Sequence, residues 1–151
     1  MLSQPLDVNN VAQAIQLALG PVFLLTGIAG MLNVMTGRLS RIIDRGRRLA
    51  EAASLTEPKV RESVNDELLE LERRRNLASA AITACTLAAL LVCMVVTALF
   101  VEVMFHAPLE WLVGALFTGA TLALVVGLAF FLREVRLATR TIRIPIAGPK
   151  L

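Results

Sequence analysis

The chain has 151 residues, 56% of them hydrophobic and 18% charged, with a mean hydropathy of +0.70. Soluble domains carry about a quarter charged residues, so this composition excludes an ordinary soluble domain and points to a single small membrane domain, 1–151. The net charge of +3 is the sum of two oppositely charged ends, which excludes its being a nucleic-acid footprint.

Three stretches carry no charge at all: residues 8–37, 76–101 and 111–132. About 20 helical residues at ~1.5 Å each cross a hydrocarbon layer of ~30 Å, so each stretch is long enough to span. The pattern predicts an all-α membrane protein with transmembrane helices at about 11–37, 77–101 and 111–132. The opening residues Met1, Leu2, Ser3, Gln4, Pro5, Leu6 and Asp7 contain no basic segment, and a removable signal peptide is not expected. Sidedness comes from the cations. Of 15 Lys and Arg, ten lie within 38–75 and five within 133–150. The positive-inside rule makes both segments cytoplasmic and puts the N-terminus and the 102–110 loop outside.

The first span carries small and polar residues at sevenfold spacing. Gln13, Gly20, Gly27, Val34 and Arg41 form one line; Asn9, Gln16, Phe23, Gly30, Gly37 and Asp44 form its neighbour. Glycines so placed notch a helix face and let another helix approach closely. Pro21 removes a backbone hydrogen bond and is expected to kink the helix.

Beyond Gly37 the helix is expected to leave the membrane, because Arg38, Arg41, Arg45 and Arg48 recur at three and four residues while Leu39, Ile42, Ile43 and Leu49 take another face. It should end near Ala53, with a turn at 54–58. Val60, Val64, Leu68 and Leu71 then form an apolar stripe among Glu57, Glu62, Asp66, Glu67, Glu70 and Glu72. This acidic helix is predicted to fold back on the basic one as an antiparallel cytoplasmic hairpin, about 38–76. Within it, Glu70 and Arg74 have the i,i+4 spacing of an ion pair.

Span two begins with Ala78, Ser79, Ala80, Ala81, Thr83, Ala84 and Thr86, small residues that imply close helix contact near its basic end. Cys85 and Cys93 lie about 12 Å apart along a helix, too far for a disulfide, and are expected to be packing residues. Pro108 opens the next helix, and Trp111 sits where an interfacial aromatic anchor belongs. Span three holds Gly114, Gly119 and Gly127. Its helix should continue through Arg133, Arg136 and Arg140 towards Pro145.

No catalytic constellation is present, and neither an enzyme nor a cofactor is expected. His106, with Glu102 and Glu110 four residues to either side, has metal-ligand spacing only on an unbroken helix, which Pro108 prevents. No metal is therefore expected. Two readings remain for the first span. Gln13, Gln16, Gly20, Phe23, Gly27, Gly30, Asn33 and Gly37 either pack helices within or between copies, or line a conduit in a homo-oligomer. Asp7, Glu102 and Glu110 would then draw cations to its outer mouth. The cluster Arg38, Arg41, Asp44, Arg45 and Arg48 fits an anchor on anionic lipid headgroups, a charged pore mouth, or a docking face for an acidic cytoplasmic protein.

The run Asn33-Val34-Met35-Thr36-Gly37-Arg38-Leu39-Ser40-Arg41-Ile42-Ile43-Asp44-Arg45, with residues 14–25 before it and 131–135 near the end, resembles the signature of a bacterial family of small three-span membrane proteins, catalogued as a domain of unknown function. The resemblance covers roughly residues 12–140. It implies the three-span architecture in a bacterial inner membrane and prominence for Arg38, Arg41, Asp44 and Arg45, without an activity. The leading expectation is a homo-oligomeric ion or small-solute channel with the first span near its axis. The alternative is a non-conducting scaffold or sensor whose hairpin binds a protein partner or anionic lipid.

Overall fold

A computed structural model of the chain describes residues 8–54, 58–105 and 108–140. It contains three helices: α1 Val8–Ser54, α2 Pro58–Phe105 and α3 Glu110–Arg140. At ~1.5 Å per residue, the 47 and 48 residues of α1 and α2 make rods of about 70 Å, more than twice a hydrocarbon layer. Each of the three helices contains a segment long and apolar enough to cross a membrane, and the described residues contain no strand. This is an all-α membrane protein.

Helix α2 lies in the middle, with α1 packed on one side and α3 on the other; α1 and α3 barely touch. The reason is the stripe Ala78, Ala81, Cys85, Ala88, Val92, Val95 and Ala98, which is buried along the whole span. Its residues recur at three and four, the spacing of a helix seam, and most are small, so two neighbours can approach one backbone. The closest approach is at Gly127 of α3. A Cβ there would stand 2.6 Å from Cys85 Sγ and 3.2 Å from the Ala81 carbonyl oxygen, so only glycine fits without displacement. The corresponding contact line of α1 is Ala14, Pro21, Ile28, Met35 and Ile42, again seven apart and buried.

Helix α1 runs unbroken through Pro21, whose ring is buried. Helix α2 continues to Phe105, so Glu102 belongs to its last turn rather than to the loop. Helix α3 starts at Glu110, not at Pro108. The Leu109 carbonyl accepts from the Val113 amide at 3.0 Å, and Glu110 sits in the first turn, where the helix dipole favours an acid.

Outside the apolar spans, α1 and α2 continue together as the expected hairpin. Ile42, Leu71 and Ala78 bury a small second core with Leu39 and Leu49 against it. Above it Arg45 Nε donates to Glu67 Oε1 at 3.2 Å, matching the basic stretch with the acidic one. Both side chains are largely exposed, so the pair contributes only about 0.2–1 kcal/mol.

Candidate functional site

The most tightly built polar feature lies where the three apolar segments end at their basic side. Arg38 is the first charge after residues 8–37, Arg74 lies just before 76–101, and Glu134 follows 111–132 by one residue. The fold brings these three ends together. Arg74 Nη2 donates to Glu134 Oε1 at 3.0 Å, and Arg38 Nε stands 3.7 Å from Glu134 Oε2. The Arg38 guanidinium also lies over the Phe131 ring, 5.5 Å from its centroid. Glu134 is 1% exposed. A carboxylate withdrawn from water to that degree costs several kcal/mol unless it is paired; two guanidiniums from two other helices supply the pairing. Arg74, which has i,i+4 spacing to Glu70 on its own helix, reaches across to α3.

Arg41 and Arg45 widen this node into a cleft of about 210 Å³, lined by Arg38, Arg41, Ile42, Arg45, Leu71, Arg74 and Glu134. Asp44 and Arg48 are exposed and do not line it. Of the basic cluster expected from the sequence, three arginines therefore converge, and two residues that the cluster did not contain, Arg74 and Glu134, complete the arrangement. Glu134 carries one available signal: it is the sole acid after Glu110 and stands just past an apolar run, after Arg133.

At the opposite end, a cavity of about 870 Å³ opens between all three helices. Its walls are mostly apolar, with Leu17, Pro21, Val95, Leu99, Val113 and Phe117, and it takes polar character from Gln13, Glu102 and Glu110. Pro21 cannot donate to the Leu17 carbonyl, which adds an acceptor to the same wall. Glu102, Glu110 and Gln13 are thus brought together inside one protomer. Asp7 and His106 lie outside the described residues, among which no group of metal-ligating side chains occurs.

The remaining first-span candidates are on the outer surface of α1. Gln16, Gly20, Phe23, Gly27, Gly30, Asn33 and Gly37 are all exposed, Phe23 by 73%. A Cβ added at Gly20, Gly27, Gly30 or Gly37 meets nothing within 4 Å. These residues lie one or two positions from the buried line, roughly 100–160° around the helix at ~100° per residue. The hydroxyls of Thr26, Thr36, Thr83, Thr86, Thr97 and Thr118 each donate to the carbonyl four residues back, the usual way a hydroxyl is satisfied within a helix. Among the described residues, Gln13, Gln16 and Asn33 make no side-chain hydrogen bond.

No curated protein and no solved structure matches the chain. One family profile does match, over residues 18–144, a range that includes the whole Arg38–Arg74–Glu134 node and its cleft. The chain belongs to that family, described as "Protein of unknown function (DUF2721)".

Proposed function

We propose that the protein is a homo-oligomeric pore for ions or small solutes, with the glycine-notched face of α1 turned towards its copies and the central path. The observation that carries this reading is the pair of unpartnered amides, Gln16 and Asn33, on an exposed face within an apolar segment. A lone amide in hydrocarbon costs several kcal/mol, so this face meets either polar groups of another copy or water. The glycines permit close helix approach. One protomer encloses no path by itself, because α1 and α3 scarcely touch. In this reading the basic end is cytoplasmic by the distribution of cations, the membrane is the bacterial plasma membrane, and Glu102 and Glu110 raise the local cation concentration at the outer mouth.

Purified protein in planar bilayers tests the reading. A conductance altered by Gln16→Leu or Phe23→Ala supports it. Absence of conductance across varied ions, pH and voltage contradicts it.

A second reading, a non-conducting scaffold, is favoured by the hairpin, which extends about 25 Å beyond the Arg38–Glu134 node and presents Asp44, Arg47, Arg48 and Glu51 on its exposed surface. In that case deletion of residues 54–66 abolishes capture of a cytoplasmic protein while assembly persists.

A further inference from the structure

The cleft at the basic end carries more positive charge than its own carboxylates balance. Four guanidiniums line it, from Arg38, Arg41, Arg45 and Arg74, against one carboxylate, Glu134. Arg45 has a further partner in Glu67, which leaves an excess of two positive charges. Arg41 is exposed and has no ion pair or hydrogen bond among the described residues. The cleft also holds unused hydrogen-bonding capacity. Glu134 Oε2 and Arg74 Nε are buried, and neither has a hydrogen-bond partner.

We propose that this cleft binds the headgroup of an anionic phospholipid from the leaflet at the basic end. Position selects a lipid over a soluble anion. Arg38, Arg74 and Glu134 mark the ends of all three apolar runs, so the cleft lies at the hydrocarbon boundary, the level of lipid phosphates. Size agrees: about 210 Å³ is below the ~300–1,000 Å³ of pockets for drug-sized ligands and takes a phosphodiester with its glycerol carbons. The chemistry is complementary as well. Guanidiniums bind phosphate oxygens in forked pairs, and the cleft lining supplies four of them. The reading does not rest on conduction.

The test is native mass spectrometry of the full chain in detergent, with phosphatidylglycerol, phosphatidylcholine or soluble glycerol phosphate added. The expected result is preferential retention of phosphatidylglycerol, weakened about fivefold by Arg41→Gln, as the loss of one basic contact at a lipid surface implies. Arg47→Gln removes the same charge from an exposed position outside the cleft and should leave retention unchanged. Equal weakening by both variants would reduce the effect to general surface charge and overturn the site. Competition by glycerol phosphate at the lipid's own concentration would overturn its assignment to a lipid.

Discussion

Glu134 of α3 accepts a hydrogen bond from Arg74 of α2 at 3.0 Å while its second oxygen faces Arg38 of α1 at 3.7 Å, so one buried carboxylate joins all three helices at one level. This matters for a bundle whose outer two helices hardly contact each other. The node ties α1 to α3 directly, while most of their apolar packing runs through α2.

Removing the acid should therefore cost more than a surface charge. Glu134→Ala leaves two guanidiniums crowded against each other, one of them largely buried, and breaking a buried pair typically costs about 3–5 kcal/mol. We expect the lower part of that range, because Arg38 has partial access to solvent. Thermal unfolding in detergent measures it. The double replacement Glu134→Leu with Arg74→Met should recover most of the loss, since apolar groups of similar volume substitute for buried ion pairs at little cost. A double variant no more stable than Glu134→Ala would contradict this.

Gly127 and Gly30 should behave oppositely. Gly127→Ala places a methyl group against Cys85 Sγ and the Ala81 carbonyl, an overpacking that costs about 1–3 kcal/mol. Cys85→Ala in the same chain removes the sulfur and should relieve part of it. Gly30→Ala meets nothing in the protomer and replaces a poor helix former by the best one, so protomer stability should hold or rise. Its effect is expected on assembly alone, read by size-exclusion chromatography with light scattering.

The hairpin pair Arg45–Glu67 is a weak tie. A double-mutant cycle with Arg45→Ala and Glu67→Ala should give a coupling of about 0.5 kcal/mol that fades as salt rises, as for other exposed ion pairs. A coupling of several kcal/mol, insensitive to salt, would mean that the pair is buried in the assembled protein.

Much of the architecture was readable from charge alone. The three charge-free runs map onto the three apolar helices, and the opposed composition of 38–54 and 58–75 points to a matched hairpin, within which the structure pairs Arg45 with Glu67. The face of α1 that packs inside the protomer was not readable. Two adjacent lines both repeat at seven, Gly20 with Gly27 and Pro21 with Ile28. Within hydrocarbon, apolar residues on a helix surface carry no preference for the interior, so periodicity draws attention to the notched line while the protomer buries its neighbour. The same limit hid which glycine matters within the bundle. Gly114 and Gly127 look alike in sequence, yet only Gly127 lies against Cys85, and that depends on the register of α3 along α2. Glu134 was missed as part of the basic-end site because its partners are distant in the chain; Arg74 is 60 residues away.

The most direct test of the central claim, that copies meet through the notched face of α1, is oxidative cross-linking in native membranes. In a Cys93→Ala chain, Gly27→Cys, Gly30→Cys and Val34→Cys are compared with Leu122→Cys, which is 62% exposed on α3. Disulfides form only when Cα atoms come within about 7 Å. Covalent dimers from at least one of the three α1 positions, and none from Leu122→Cys, is the predicted result. Monomers at every α1 position, or cross-linking as strong through α3, would contradict it.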